Sequence, residues 1–261
     1  MKQDPDSSVV PRLPVPKLLQ RRIGRAVADF RMIQPGDRIL LALSGGKDSL
    51  TLLHMLRAMQ RQFSVTFELG VATVDPMSPD YDPQVLLPYI EPLGIPYFLE
   101  RQDIYERAKK HLLRPSYCSF CARMRRGVLY RCARREGYNV LALGQHLDDF
   151  AESFFMSMFY NGEMRTMKAH YRVREGDLRV IRPLVYCRER QMRQHAEEQK
   201  LPVIYENCPA CFGKPTERQH MKELLAQQEA HDPRLFKQLQ RALQPLMGTG
   251  LEDLHFEDEH D

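Results

Sequence analysis

The sequence predicts an α/β protein built on an open, mostly parallel sheet with helices on both faces. Short apolar runs alternate along the chain with segments whose apolar residues recur at helical spacing. A glycine-containing turn at residues 44–49 joins the first apolar run to the helical segment that follows it. The length of 261 residues allows one substantial domain with an appendage, but not two large domains.

The individual elements follow from the same patterns. Apolar residues at positions 19, 23, 27 and 30 form one stripe and predict a first helix. Apolar runs predict five strands, at 39–43, 67–74, 95–99, 139–143 and 180–184. Helical spacing predicts further helices at 50–61, 85–93, 188–200 and from the end of the segment 144–149 to about residue 160. We expect three segments: a flexible lead at 1–14, a main domain at 15–225, and a C-terminal helix with an acidic tail at 226–261.

The glycine turn reads Ser44-Gly-Gly-Lys-Asp-Ser49. Between a strand and a helix, bare backbone N–H groups and the positive helix end can collect on one anion. Gly45 and Gly46 would let the backbone bend and approach closely, Ser44 and Ser49 would donate hydroxyl hydrogens, and Lys47 would add a point charge. The turn is not a Walker loop, because no glycine stands five residues before Gly46 and Asp48 replaces the required Ser or Thr. A turn that merely starts a helix is the alternative.

Composition and charge narrow the class of protein. A hydrophobic content of 43% with 28% charged residues is ordinary for a globular chain, and the net charge is +4. The last ten residues contain six carboxylates, so the preceding chain is more basic and fits a large anionic partner, first of all a nucleic acid. The N-terminal residues offer no apolar stretch, and no run approaches the roughly 20 residues that span a bilayer. We expect a cytoplasmic protein with no membrane partner.

Two C-x-x-C pairs, Cys118/Cys121 and Cys208/Cys211, predict a metal site, since cytosolic cysteines stay reduced and this spacing brings two thiolates to one metal. From the residues alone, structural zinc and an iron–sulfur cluster are equally good interpretations. Cys132 and Cys187 lie within helix or strand patterns and are expected to be ordinary buried residues.

Five motifs occur in one order: the glycine turn, residues 118–130, residues 143–149, residues 181–189, and the late cysteine pair. Together they resemble the tRNA 2-thiocytidine synthetases, or tRNA-cytidine(32) 2-sulfurtransferases, of the PP-loop ATP pyrophosphatase superfamily. The resemblance covers about Leu18 to Leu225. It implies an adenine nucleotide α-hydrolase-like fold and an ATP-dependent tRNA sulfurtransferase. One departure is Gln145-His146, where members of the family often have His-His.

The resemblance implies a reaction and the residues for it. The C2 oxygen of a cytidine at position 32 would attack the α-phosphate of ATP, and sulfur would then displace AMP to give 2-thiocytidine. Lys47, Asp48 and Asp149 are the candidate catalytic residues, with Mg²⁺ assisting departure of pyrophosphate. The candidate ATP-binding residues are Ser44, Gly45, Gly46, Lys47, Asp48, Ser49, Gly144 and His146. Helix capping is the alternative role for Asp148 and Asp149, and a structural role is the alternative for His146.

The resemblance also implies a [4Fe–4S] cluster held by Cys118, Cys121 and Cys211, with Cys208 unligated. tRNA would be the main partner, with a sulfur donor such as a cysteine desulfurase, and the protein would form a homodimer. Basic residues at 109–114, 123–135 and 165–174 would contact phosphates. Tyr117, Phe120, Tyr160 or Tyr171 would stack on the splayed base. The alternatives are 2-thiolation of a tRNA uridine by a related enzyme and a zinc-stabilised, non-catalytic RNA-binding module.

Overall fold

A computed structural model describes residues 14–62, 65–111, 117–204 and 216–248. Within this part of the chain, six strands form one sheet in the order β3-β2-β1-β4-β6-β5. All neighbouring pairs are parallel except β5 with β6. The strands are β1 (Asp37–Ala42), β2 (Phe67–Asp75), β3 (Tyr97–Arg101), β4 (Val140–Ala142), β5 (His170–Arg172) and β6 (Arg179–Ile181).

The described helices alternate with these strands along most of the chain. They are α1 (Lys17–Asp29), α2 (Lys47–Gln62), α3 (Leu87–Ile90), α4 (Ile104–His111), α5 (Tyr117–Arg135), α6 (Leu147–Met156), α7 (Glu189–Glu198), α8 (Glu217–His231) and α9 (Leu235–Met247). The prediction of a mostly parallel α/β fold is therefore confirmed. No helix in the described ranges is both long and apolar enough to cross a membrane.

Helices cover both faces of the sheet, and alternate side chains of β1 therefore pack in two different apolar clusters. Ile39 and Leu41 belong to the larger cluster, to which α1, α2, α6, α7, α8 and α9 contribute. Leu40, between them, packs in the smaller cluster with residues of α4 and α5. Successive side chains of a strand point to opposite faces, so a continuous apolar run in β1 is what burial on both faces requires.

Several elements differ from the sequence prediction in extent or kind: α4 and α5 are not among the predicted helices, and β3 lies two residues later than the predicted strand at 95–99. The stretch 85–93 is α3 flanked by short 3₁₀ turns at Pro83–Leu86 and Glu91–Leu93, because its prolines lack the N–H that a regular helix uses. The helix predicted to reach residue 160 is α-helical only to Met156 and continues as a π turn, Ser157–Asn161, before Gly162. Strand β6 stops at Ile181, where a turn closes from Arg182 to Val185. Strand β5 is absent from the sequence prediction, since its three residues form no apolar run.

The carboxyl ends of β1 and β4 lie side by side where the order of the sheet reverses. From β1 the chain continues to β2 on one side, while β4 and β6 lie on the other. Crevices at such a switch point are where open α/β sheets bind ligands. The glycine turn follows β1 here, and residues 143–149 follow β4. The proposed division into three segments stays a prediction; α8 continues through residue 225, and both chain ends beyond 14–248 lie outside the described residues.

Candidate active site

Gly45 is fixed by contacts that only a glycine satisfies. Its φ is +79°, in the region where L side chains are strained. Its carbonyl oxygen accepts a hydrogen bond from the N–H of Ile204 at 2.9 Å. A Cβ on Gly45 would lie 2.6 Å from Cδ1 of the same Ile204. Ile204, in the segment after α7, therefore holds the glycine turn in place through these two contacts.

Hydroxyl groups hold the turn from inside. The Ser44 and Ser49 Oγ atoms lie 3.2 Å apart, and Ser44 Oγ accepts from the N–H of Gly46 at 3.3 Å. Ser49 Oγ also donates to the Gly46 carbonyl at 3.0 Å. Beneath the turn, Thr73 Oγ1 donates to the Leu43 carbonyl at 2.7 Å. The two serines thus shape the loop itself in this structure, and their predicted ATP-binding role stays a prediction.

Gly144 permits close packing of two elements at the switch point. A Cβ at this position would lie 3.3 Å from the backbone N of Ser49 and 3.5 Å from the carbonyl carbon of Asp48. The end of β4 can therefore approach the first turn of α2. The predicted ATP-binding role of Gly144 stays a prediction, and the contact found is with protein backbone.

A cleft of about 260 Å³ opens beside the glycine turn. It brings predicted site residues at the starts of α2 and α6 together with side chains from α7 and α8. Its lining residues are Lys47, Asp48, His146, Asp149, Glu152, Glu189, Thr216, Arg218, Gln219 and Lys222. Four of the predicted site residues, Lys47, Asp48, His146 and Asp149, thus share one cavity.

Lys47 and Asp48 form the charged floor of this cleft. Lys47 Nζ lies 3.0 Å from Asp48 Oδ2 and 3.1 Å from Glu189 Oε1. Burial opposes the charge of Lys47, but the two carboxylates outweigh it and raise the pKa of Lys47, so the ammonium persists at neutral pH. Burial raises the pKa of Asp48. Asp48 Oδ1 is buried and has no hydrogen-bond partner in the described part of the chain, so it can accept a metal ion or a donor.

The two adjacent acids of α6 have different roles. Asp149 Oδ2 accepts from the N–H of His146 at 2.9 Å, and His146 Nδ1 faces the N–H of Asp149 at 3.4 Å, which together form a capping box. Asp148 instead accepts from Arg188 Nε at 3.0 Å and from the N–H of Glu189 at 2.8 Å. Asp148 therefore ties α6 to the start of α7, while Asp149 keeps Oδ1 toward the cleft.

Glu152, Glu189, Arg218 and Lys222 are cleft residues that the sequence analysis did not single out. Burial raises the pKa of Glu152 to about 7, and the neighbouring Asp149 carboxylate adds to the shift. For Glu189 burial acts upward, but the hydrogen bond from Lys222 and the charge of Lys47 lower its pKa to about 2. Glu189 is the last residue of the motif at 181–189, so the sequence offered a signal for it. No motif includes Arg218 or Lys222 of α8, so the sequence offered none for them.

Gln145 contacts a buried arginine. Its Oε1 accepts from Arg182 Nε at 3.1 Å, and Arg182 lies 5.3 Å from the ring centroid of Tyr171. Tyr171 is buried, and its hydroxyl lies 3.1 Å from that of Tyr130. A buried, bonded ring cannot stack on an incoming base, so Tyr171 does not serve in that role in this conformation.

The described residues contain part of the predicted metal site. The backbone of Cys118 and the partly buried Cys121 lie three residues apart on α5, so they share one face of that helix. The Cys118 side chain and both Cys208 and Cys211 lie outside the described residues. Within the described part, no group of three metal-ligating side chains occurs. Two cysteines at this helical spacing fit the donor set of an iron–sulfur cluster or zinc, because both metals take thiolates.

Cys132 and Cys187 are confirmed as ordinary buried residues. Both side chains are inaccessible to solvent and belong to the apolar clusters. Burial raises the pKa of each thiol to about 12, so neither is a thiolate at neutral pH.

Some of the arginines predicted to contact phosphates form ion pairs with acidic side chains of the protein itself. Arg134 pairs with Asp177 at 2.7 Å, and Arg135 pairs with Glu100 at 2.5 Å. Tyr160 is 50% exposed, and its hydroxyl donates to Glu217 at the start of α8. The basic surface stays a prediction, with the arginines at 134 and 135 its weakest members.

Comparison with known proteins supports the same interpretation of the chain. The PP-loop domain family matches residues 16–209. The tRNA-cytidine(32) 2-sulfurtransferase of Geobacter sulfurreducens is 41% identical over 243 residues, covering 92% of this chain and 94% of that protein. The enzyme of the same name from Geobacter metallireducens is 42% identical over 227 residues, covering 86% and 88%.

Among solved structures, the U34-tRNA thiolase NcsA of Methanococcus maripaludis, solved with its [4Fe-4S] cluster, has a TM-score of 0.73 at 22% identity. The alignment covers 88% of this chain and 78% of that one, and it shows that the two share a fold. With the match to the PP-loop domain and identities above 40% along nearly the whole chain, the protein belongs to the tRNA-cytidine(32) 2-sulfurtransferase family.

Proposed function

We propose that this protein is an ATP-dependent tRNA sulfurtransferase that converts cytidine 32 to 2-thiocytidine. The observation that carries the proposal is the meeting of Lys47, Asp48 and Asp149 in one cleft beside a glycine turn, in a chain of this family. The C2 oxygen attacks the α-phosphate, the bond to the β-phosphate breaks, and pyrophosphate leaves. Sulfur then bonds to C2, and the C2–O bond breaks to release AMP.

The residues of the cleft suit the first step. Lys47 is kept protonated by two carboxylates, so it can neutralise charge on the departing pyrophosphate. Mg²⁺ would bind at Asp48 Oδ1, which has no hydrogen-bond partner in the described residues, and at Asp149 Oδ1, since carboxylate oxygens are hard donors and both residues line the cleft. The backbone amides of the glycine turn and the N-terminal end of α2 would hold the phosphates.

For the second step we propose a [4Fe–4S] cluster held by Cys118, Cys121 and Cys211. Support comes from the i, i+3 placement of the first two on α5 and from family membership. When bound, a cluster with one iron free of protein ligands supplies a place to carry sulfur. tRNA, a sulfur donor such as a cysteine desulfurase, a homodimeric state and a cytoplasmic location belong to the same proposal.

The deciding experiment compares Lys47→Ala with Lys237→Ala, a change at an exposed position of α9 outside the cleft lining. Both variants and the parent are purified anaerobically and given tRNA, ATP and a sulfide source. We expect Lys47→Ala to lose AMP and pyrophosphate formation while iron and sulfide content stay at the parent level. Sustained turnover in Lys47→Ala would refute the phosphate role of this lysine.

Nucleoside mass spectrometry of the same tRNA identifies the product. 2-Thiocytidine is expected; 2-thiouridine would favour the related uridine enzymes, and unmodified RNA with zinc-loaded protein would favour a non-catalytic module. Cys211→Ser and Cys208→Ser form a matched pair for the ligand assignment. The first should lose the cluster and activity and the second should keep both, and the reverse result would overturn the assignment.

A further inference from the structure

Helix α8 contributes side chains to the lining of the cleft beside the glycine turn. Four of its residues or cap residues line the cavity: Thr216, Arg218, Gln219 and Lys222. Met221 and Leu225 are buried on the side of α8 that packs against the core. Arg218 and Lys222 are four residues apart and therefore project from the same face of the helix.

One carboxylate places Lys222 beside Lys47. Glu189 Oε2 lies 2.7 Å from Lys222 Nζ, and Glu189 Oε1 lies 3.1 Å from Lys47 Nζ. The ammonium groups of α2 and α8 are thus bridged by a single side chain. Glu189 itself is held in place because its backbone N–H donates to Asp148 and it begins α7.

Arg218 is held more loosely, by two other carboxylates of the cleft. Its Nη1 lies 3.5 Å from Asp149 Oδ1, and its Nε lies 3.7 Å from Glu152 Oε2. These separations are long for charged hydrogen bonds, and the side chains of Arg218 and Lys222 are 51% and 43% exposed. Arg218 can therefore turn toward an anion in the cleft with little loss of packing. Lys222, whose ammonium group has three N–H donors, can contact the anion while it keeps its bond to Glu189.

The charge balance of the cleft requires such cations. Asp48, Asp149, Glu152 and Glu189 place four carboxyl groups around it, and a triphosphate would add several more negative charges. Lys47 and the proposed Mg²⁺ together would not offset all of these negative charges. An arginine and a lysine of α8 in the same cleft would complete a polyphosphate site.

From this arrangement we infer that Arg218 and Lys222 of α8 bind the β- and γ-phosphates of ATP and then the released pyrophosphate. The inference rests on the proposed ATP-cleaving function and adds two residues and a second wall to its site. Glu189 keeps Lys222 in position between turnovers and shares it with the phosphates when nucleotide binds.

The test measures binding of three probes by calorimetry in the presence of Mg²⁺: α,β-methylene-ATP, pyrophosphate and AMP. Lys222→Ala, Arg218→Ala and Lys222→Arg are compared with the parent and with the exposed control Lys237→Ala, all as the full chain. Each alanine variant should bind the ATP analogue and pyrophosphate at least about tenfold more weakly, because a charge-assisted contact is lost. AMP affinity should not change, and Lys222→Arg should recover most of the loss.

Unchanged affinity of Lys222→Ala and Arg218→Ala for the analogue would overturn the inference while leaving the proposed function intact. Equal weakening for AMP and the analogue would also overturn it, since that pattern reports a structural role. Weakened tRNA binding with normal analogue binding would assign α8 to RNA instead. If the parent itself bound no analogue, the proposed function and the inference would both fail. Should Lys222→Ala unfold, Lys222→Gln with a measured Tm replaces it.

Discussion

The two walls of the cleft are built in different ways. The glycine-turn wall is fixed by bonds to backbone groups: the Gly45 carbonyl accepts from the N–H of Ile204, and the hydroxyls of Ser44 and Ser49 bond to the backbone of Gly46. The α8 wall is attached to its neighbours largely through side chains, among them the pairs of Glu229 with Arg188 and of Lys222 with Glu189. Backbone contacts give a rigid surface, whereas long charged side chains can exchange partners. A rigid wall suits positioning of the reacting phosphate, and an adaptable wall suits binding and release of pyrophosphate.

The largest expected effect separates the two acids of α6. Asp148→Asn should lower the free energy of unfolding by about 3 kcal/mol, because both oxygens of Asp148 accept hydrogen bonds and the new amide NH2 would face one of the two donors, Arg188 Nε or the N–H of Glu189. Asp149→Asn should cost less than about 1 kcal/mol, since an amide oxygen still accepts from His146. Only Asp149→Asn should then lose AMP formation in a folded enzyme. Urea unfolding and AMP release check both, and equal destabilisation would contradict the division of roles.

A pH experiment tests Glu152, a carboxyl group of α6 that lines the cleft between the two walls. The pKa of Glu152 is raised to about 7 in the folded protein, so its protonated form favours folding. This contribution is present below pH ~4.5 and is lost as the pH rises through about 7, by at most about 3 kcal/mol. Glu152→Gln should therefore be more stable than the parent at pH 8 and less sensitive to pH between 5 and 8. Glu197→Gln, at an exposed site of α7, is the control; a parent-like profile for Glu152→Gln would contradict the shift.

The rigidity of the glycine-turn wall can be tested with a matched pair of glycines. Gly45→Ala should cost about 2 to 3 kcal/mol, because it adds the strain of a positive φ and a contact with Ile204. Gly36 has a φ of +81°, but a Cβ there would meet no atom within 4 Å, so Gly36→Ala should cost only about 1 kcal/mol. Ile204→Ala in the Gly45→Ala background should recover part of the difference in Tm. Equal costs at the two glycines would show that the contact with Ile204 is unimportant.

The smallest expected effect concerns the start of α8. Thr216 Oγ1 accepts from the N–H of Gln219 at 3.2 Å and caps the helix. Thr216→Ala should lower stability by about 1 kcal/mol, and Thr216→Ser should restore it. Hydrogen exchange should show faster exchange in the first turn of α8 and no change in α2. Altered exchange in α2 would mean that the two walls are more tightly coupled than their contacts indicate.

The parts of the fold that follow local rules are predictable from the sequence. The unit β1–turn–α2 is one of them, because apolar periodicity and the glycine conformations act over a few residues. The burial of Cys132 and Cys187 is another, since small apolar thiols within regular patterns are usually buried. The division of 83–93 into short turns reflects the prolines at 83, 88 and 92. Strand β5 is not predictable in this way, because its three residues gain their order from pairing with β6.

The amino-acid order alone determined the identity of the glycine turn, the strand–helix alternation and the family, because each depends on residues close together in the chain. Only folding decided that Asp148 stabilises the structure while Asp149 faces the cleft, since the difference depends on Arg188, forty residues away at the start of α7. Folding also placed Lys222 and Lys47 on the same carboxylate, that of Glu189, and no local sequence pattern predicts this contact. The physical reason is that charge pairing is set by distance in space, whereas periodicity and turn chemistry are set by distance along the backbone.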